Sequence, residues 1–113
     1  MEQLLKSYLP MSEPSFLLLS TLVDNLHGYG VMQRVAEMTG GRVNLGAGTV
    51  YTILYKMEND GLIKVVQEID RRKIYKITSI GMEVLKAEAN RLIELSRIAG
   101  VSLNQLDILQ YTH

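Results

Sequence analysis

Residues 45–63, LGAGTVYTILYKMENDGLI, predict a short helix with two different faces. Asn44 to Gly48 begin this helix, and Gly61 ends it as a residue that accepts a left-handed backbone conformation. Apolar residues spaced i, i+3, i+4 and i+7 form its inner stripe; they are Val50, Ile53, Leu54 and Met57. Side chains suited to phosphate oxygens and base edges lie on the other face; they are Thr49, Tyr51, Thr52, Tyr55 and Lys56.

A basic hairpin is predicted to follow this helix. Ile63 to Ile69 are rich in β-branched residues and predict a strand, and Lys73 to Thr78 alternate and predict the return strand. Asp70-Arg71-Arg72 form the turn between them, so Arg71, Arg72 and Lys73 lie together at the hairpin tip. A two-faced helix followed by a basic hairpin is typical of a winged helix, a fold that most often reads DNA.

Two helices are predicted before this unit and one after it. The first begins at Ser12-Glu13-Pro14, where a serine cap and a first-turn proline are typical helix starts. The sequence HGYG of residues 27–30 interrupts the pattern, and the second helix runs from about Val31 to Gly40. The last helix runs from about Ile80 to Ala99 and is ended by Gly100. We therefore expect an α+β fold that is mostly α, a winged helix-turn-helix with a C-terminal dimerisation helix.

The last helix suggests the domain organisation and a second copy of the chain. Its apolar residues recur at roughly heptad spacing; they are Met82, Leu85, Ala89, Leu92, Leu95 and Ala99. Because the winged unit closes without this helix, its partner is expected in another chain, as a homodimer. An effector pocket between the protomers is a second interpretation of the same apolar residues. Residues 1–78 are then the winged-helix domain with an N-terminal extension, and residues 79–113 the dimerisation helix and tail.

Composition excludes several classes of protein. A chain of 113 residues with 47% hydrophobic residues suits one domain, and the lack of cysteine excludes disulfides and cysteine-ligated zinc. His27 and His113 have no metal-ligand spacing, so no metal or other cofactor is expected. The longest apolar run, residues 16–19, is too short for a bilayer, and no secretion signal precedes it, which favours the cytoplasm. Without a Ser-His-Asp set, a phosphate-binding loop or clustered histidines, we do not expect an enzyme.

Charge is unevenly distributed along the chain. The formal net charge is zero, yet residues 42–76 carry seven basic and four acidic residues, a net charge of +3. Such a segment makes a local positive field that favours a polyanion such as double-stranded DNA. The zero net charge supports a competing hypothesis, a winged-helix protein-interaction module without sequence-specific DNA binding. Salt dependence separates the two, because DNA binding weakens steeply as salt rises.

Each candidate DNA contact also has a structural alternative. Tyr51 and Tyr55 lie one helical turn apart and suit DNA, but either ring could instead pack on the preceding helix or the hairpin. Thr49 and Thr52 suit base contacts or capping, whereas Lys56 suits a phosphate. The three basic residues of the hairpin tip suit the minor groove or flanking phosphates, or else form a solvated turn.

Three motifs resemble the PadR family of bacterial transcriptional regulators. They are HGYGVMQ at residues 27–33, the stretch 45–63 already quoted, and R-K-x-Y-x-I-T-x-x-G at residues 72–81. The resemblance implies a winged helix-turn-helix whose last helix dimerises and whose dimer binds a roughly palindromic operator. It therefore implies a repressor that binds an inverted repeat, and it leaves open whether a small-molecule effector releases the repressor from DNA.

The chain departs from the usual PadR pattern at three points. Thr52 stands where many members have proline, the hairpin turn lacks glycine, and a single C-terminal helix is expected, as in the short subgroup. Some short members bind flat aromatic drugs between tryptophans. This chain has no tryptophan, which puts that mode of binding in doubt here.

Overall fold

The computed structural model describes residues 1–112 and contains five helices and a two-stranded sheet in that range. The last residue of the predicted tail, His113, lies outside the described residues. The elements in chain order are α1 (Glu2–Tyr8), α2 (Glu13–Thr21), α3 (Gly28–Met38), α4 (Ala47–Asn59), β1 (Ile63–Ile69), β2 (Arg72–Ile77) and α5 (Ser79–Thr112). This order is the predicted winged helix-turn-helix, mostly helical with one small antiparallel sheet.

The hydrophobic core is built around α2. Leu18, Leu19 and Leu22 have no exposed surface, and the inner stripe of α4 packs with them. Val50, Leu54 and Met57 are buried as the helical spacing predicts, and Ile53 is half-buried. The Ser12 hydroxyl accepts a 3.2 Å hydrogen bond from the Ser15 N–H, so the predicted cap of α2 is confirmed.

The two strands pair from Ile63 with Ile77 to Ile69 with Arg72. The turn is therefore two residues long, and Asp70 (φ 51°) and Arg71 (φ 66°) both adopt positive φ. Positive φ at both central residues is the hairpin turn whose twist matches that of the strands. Leu26 forms an isolated antiparallel bridge with Tyr75 in β2, because the two backbones exchange hydrogen bonds of 3.1 and 2.8 Å.

Two helix boundaries differ from the prediction, and one helix was not predicted. α3 begins at Gly28 instead of Val31, because the Nδ1 atom of His27 accepts a 3.0 Å hydrogen bond from the Gly30 N–H and caps the helix. Gly100 does not end α5, which continues to Thr112. A single glycine costs a helix only about 1 kcal/mol, so it does not stop one whose flanking residues favour helix. The helix α1 lies in residues 1–12, for which the sequence predicted no element.

Along residues 1–112, no helix is both long enough and apolar enough to cross a membrane.

Candidate nucleic-acid interface

The outer face of α4 carries the predicted contact residues in a defined order. At about 3.6 residues per turn, Thr52 and Tyr55 lie near the middle of this face, with Tyr51 on one flank and Lys56 on the other. Tyr55 is 70% exposed and Tyr51 is 49% exposed, and Thr49 and Thr52 are also exposed. α4 therefore presents hydroxyl groups outward while its apolar stripe remains in the core.

Tyr51 is both exposed and packed. Its ring lies over Gly28 at the start of α3, so close that a Cβ atom added to Gly28 would lie 2.6 Å from the Tyr51 hydroxyl oxygen. The structural alternative, packing on the preceding helix, therefore holds for one side of this ring. The other side borders a cleft of about 300 Å³, and contact of Tyr51 with DNA stays a prediction.

Lys56 already has partners within the chain. Its ammonium lies 2.8 Å from the Asp60 carboxylate and 4.7 Å from the centre of the Tyr8 ring in α1. The pKa of Asp60 is lowered mainly by the hydrogen bond from Lys56. The hydrogen bond from the Tyr8 hydroxyl is the second cause. The carboxylate is therefore charged near neutral pH, and any phosphate that binds Lys56 has to compete with it. The predicted phosphate contact of Lys56 remains untested.

The hairpin tip is the second part of the candidate interface. Arg71, Arg72 and Lys73 are all exposed, and together with Tyr51 and Tyr75 they line the 300 Å³ cleft, which we call the wing cleft. The guanidinium carbon of Arg72 lies 5.9 Å from the centre of the Tyr29 ring. Tyr75 is only 6% exposed and belongs to the core, as the alternation of the strand predicts, and burial raises the pKa of its hydroxyl. The wing cleft thus brings Tyr51 of α4 together with three cationic side chains of the hairpin.

The sequence did not identify His27, Gly28 and Tyr29 as neighbours of this interface. His27 lines a second cavity of about 460 Å³ with Asp70 and Arg72, and Tyr29 lies beside the same arginine. The signal is the HGYG motif, which predicts an interruption between helices and contributes to the PadR resemblance but assigns no contact to these residues. Histidine is not among the usual capping residues, so nothing local predicted that α3 would begin there.

The predicted dimerisation residues line one side of α5 with graded exposure. Met82, Leu95 and Ala99 are exposed, whereas Leu85, Ala89 and Leu92 are half-buried, Leu85 against the core of its own chain. Because α5 continues past Gly100, the same side gains two exposed leucines, Leu103 (63% exposed) and Leu106 (55% exposed). Their role as a dimer interface stays a prediction.

A buried carboxylate anchors α5 to the N-terminal segment. Glu88 is 1% exposed; it accepts a 2.8 Å hydrogen bond from the Met11 N–H and a 2.9 Å hydrogen bond from the Arg91 guanidinium. The pKa of Glu88 is lowered, mainly by the hydrogen bond from Arg91. The Met11 N–H lowers it further, whereas burial opposes both effects. Beside it lies an apolar cavity of about 380 Å³ between α2 and α5, lined by Met11, Glu13, Phe16, Leu17, Glu88 and Leu92.

Comparisons with solved structures agree with this architecture. A PadR family transcription regulator from Clostridium difficile superimposes with a TM-score of 0.72 at 24% identity, covering 81% of this chain and 99% of that chain. Bacillus subtilis PadR, solved in complex with operator DNA, superimposes with a TM-score of 0.58 at 23% identity, covering 65% of this chain and 44% of that chain. At such identities the likeness shows a common fold.

The sequence comparisons give the family. An uncharacterised 37.1 kDa protein of a Streptomyces fradiae transposon is 31% identical over 86 residues, which are 75% of this chain but only 24% of that protein. The sequence model of the PadR-like transcriptional regulators matches residues 18–87, from α2 into the first turns of α5. This match spans more than half of the chain and includes α4, the hairpin and the HGYG motif. The chain belongs to the PadR-like family of transcriptional regulators.

Proposed function

We propose that this regulator is a cytoplasmic repressor that binds double-stranded DNA as a homodimer at an inverted-repeat operator. The observation that carries the proposal is the wing cleft, where Tyr51 of α4 lies beside Arg71, Arg72 and Lys73 of the hairpin. A single duplex lying against α4 would meet these cations as well. The structure of Bacillus subtilis PadR with operator DNA supports the proposal by likeness of fold.

The two elements would divide the work of binding. The N-terminal part of α4, with Thr49, Thr52 and Tyr55 exposed, suits the major groove, where hydroxyl groups and rings can meet base edges and thymine methyl groups. The basic hairpin tip suits the minor groove or the flanking phosphates. Phosphate contacts fix the register of the protein on the duplex, and base contacts supply sequence preference.

The homodimer would form by pairing of α5 with the same helix of a second copy. A surface with Leu92, Ala99 and Leu106 at heptad spacing, flanked by Leu95 and Leu103, suits pairing with an identical helix. A two-fold dimer would carry two α4 helices to half-sites about 34 Å apart, one turn of DNA. We further propose that a small apolar effector releases the operator by binding the 380 Å³ cavity between α2 and α5 and changing this spacing.

The proposal is tested with the duplex upstream of the protein's own gene and a random duplex of equal length. Wild type should bind the upstream duplex about 1000-fold more tightly than the random duplex at equal salt, within the usual range for specific regulators. Tyr51→Ala and the double variant Arg71→Ala/Arg72→Ala should both lose affinity. Equal affinity of wild type for the two duplexes would contradict a sequence-specific regulator.

A further inference from the structure

The HGYG segment, residues 27–30, contacts both elements that are proposed to bind DNA. Gly28 lies under the ring of Tyr51 from α4, and the ring of Tyr29 lies beside the guanidinium of Arg72 from the hairpin. We propose that Gly28 and Tyr29 are positioning residues, which hold Tyr51 and Arg72 in the orientations needed to bind DNA. This inference rests on the proposed function and extends it to residues outside the predicted DNA contacts.

Position 28 needs glycine because the Tyr51 ring leaves no room for a side chain there, and not because of its backbone conformation. A Cβ atom at this position would lie 2.6 Å from the hydroxyl oxygen of Tyr51, 2.7 Å from its Cζ and 3.0 Å from its Cε1. Within residues 1–112 the glycines with positive φ are Gly40, Gly41 and Gly61, so Gly28 has a backbone that alanine adopts readily. Any side chain at Gly28 would therefore displace the Tyr51 ring while leaving α3 itself able to form.

The displaced atoms belong to the group proposed to meet DNA. Tyr51 is 49% exposed, so its ring is free to swing outward when pushed from below. Such a swing would move the ring from its place in the lining of the wing cleft. The absence of a side chain at Gly28 thus leaves the space that the Tyr51 ring of α4 occupies.

Tyr29 acts on the hairpin in a comparable way. The guanidinium of Arg72 lies 5.9 Å from the centre of the Tyr29 ring, within the range of a cation–π contact. Arginine stacked on an aromatic face keeps the N–H groups at its edge free, and these are the donors that match phosphate oxygens. The ring therefore restricts the rotamers of Arg72 without using the hydrogen bonds that DNA would need.

A capping hydrogen bond holds the start of α3, which carries both residues. The Gly30 N–H donates a 3.0 Å hydrogen bond to His27 Nδ1, which fixes the first turn of the helix that carries Gly28 and Tyr29. A single helix start thereby sets the position of one side chain from α4 and one from the hairpin. The relative placement of the two proposed DNA contacts depends on this turn.

The test of Gly28 compares Gly28→Ala with Gly30→Ala. A Cβ at Gly30 would lie 3.2 Å from Leu26 Cδ2 and would not meet Tyr51, so Gly30→Ala is a matched control on the same helix. The probe is the duplex that wild type selects from a random pool, and the readouts are its dissociation constant and the melting temperature of each free protein. Gly28→Ala should weaken binding about tenfold, the loss of one good contact, while Gly30→Ala stays within about twofold.

A double-variant cycle separates positioning from general damage. With Tyr51→Ala already present, Gly28→Ala should cause no further loss, because the ring it displaces is gone. Any fall in melting temperature caused by Gly28→Ala should likewise disappear in that background. Unchanged affinity of Gly28→Ala, or losses that simply add, would overturn the role of Gly28. A wild type that selects no duplex would overturn the proposed function and this inference with it.

Tyr29 is tested with a conservative pair. Tyr29→Phe keeps the ring and should keep affinity within about twofold, whereas Tyr29→Leu should weaken binding several-fold, as expected for loss of a cation–π contact. In the Arg72→Ala background, Tyr29→Leu should have no further effect. Equal losses for the phenylalanine and leucine variants would show that the ring does not position Arg72.

Discussion

The hydroxyl of Tyr8 donates a 2.7 Å hydrogen bond to the carboxylate of Asp60, across 52 residues of chain. The bond joins α1 to the C-terminal end of α4, and Lys56 binds the same carboxylate oxygen at 2.8 Å. Burial, together with the bond to Asp60, raises the pKa of Tyr8 well above its usual value, so the hydroxyl remains a donor across the physiological range. The N-terminal helix is thus attached directly to the helix proposed to read DNA.

Loss of the Tyr8 hydroxyl should destabilise the protein measurably. Tyr8→Phe removes the hydrogen bond and keeps the ring, so the free energy of unfolding should fall by about 1 kcal/mol. The measurement is urea denaturation followed by circular dichroism. Tyr55→Phe removes a hydroxyl from a side chain that is 70% exposed and is the matched control. If both variants unfold at the same urea concentration as wild type, the Tyr8–Asp60 bond does not stabilise the fold.

Release of Lys56 from Asp60 should strengthen DNA binding. Asp60→Asn removes the carboxylate that pairs with Lys56, so affinity should rise several-fold for selected and random duplexes alike, because phosphates are common to both. Fluorescence anisotropy at fixed salt measures the change. Glu58→Gln removes one negative charge from the same helix without touching the Lys56–Asp60 pair. An equal gain in both variants would mean that net charge, and not the freed lysine, is responsible.

The stability of the fold should depend on Glu88 in the acid range. Arg91 and the Met11 N–H lower its pKa in the folded state, so the unfolded state binds more protons there and stability falls as the pH drops. The contribution of Glu88 should be complete above the ordinary glutamate pKa of about 4.3 and be lost as pH falls through its folded-state pKa.

Glu88→Gln tests that dependence. The variant should be less stable than wild type by about 1–3 kcal/mol at neutral pH, because Arg91 loses its charged partner. The difference should shrink as the pH falls through the acid range, as measured by urea denaturation at a series of pH values. Glu94→Gln, at an exposed position on the same helix, is the control. A difference that stays constant with pH would show that the charge of Glu88 does not stabilise the fold.

The length of α5 predicts where the dimer can be broken. Leu106 lies beyond Gly100, where the sequence alone ended the helix, and it continues the heptad positions of Leu85, Leu92 and Ala99. Leu106→Glu should therefore shift the protein toward monomer in sedimentation equilibrium. Asn104→Glu adds the same charge to another side of the same helical turn and should leave the assembly unchanged. If the Leu106→Glu protein remains as dimeric as wild type, the dimer interface does not include Leu106.

Local patterns predicted much of the fold. The stripe Val50, Leu54 and Met57 is buried as its spacing requires, Ser12 caps α2, and Gly61 adopts a positive φ of 81° at the end of α4. These features depend on a few neighbouring residues, which is the range over which periodicity and capping rules operate.

The features that were missed depend on distant contacts. Tyr8 of α1 reaches Asp60, and in the segment after α1 the Met11 N–H reaches Glu88, 77 residues away. Neither pair leaves a local pattern in the sequence. Lys56 shows the same limit within the candidate site: its place on the outer face of α4 was predictable, but its pairing depends on Asp60 and on a ring from α1.

The salt dependence of DNA binding tests the central claim most directly, namely that α4 and the hairpin tip bind one duplex together. The measurement is the slope of log affinity against log salt for wild type and for Arg71→Ala/Arg72→Ala. Wild type should show a steep negative slope, and the double variant a slope shallower by about two, one for each lost phosphate contact. A shallow slope for wild type, or the same slope in both proteins, would contradict the account; the shallow slope would favour the protein-interaction module.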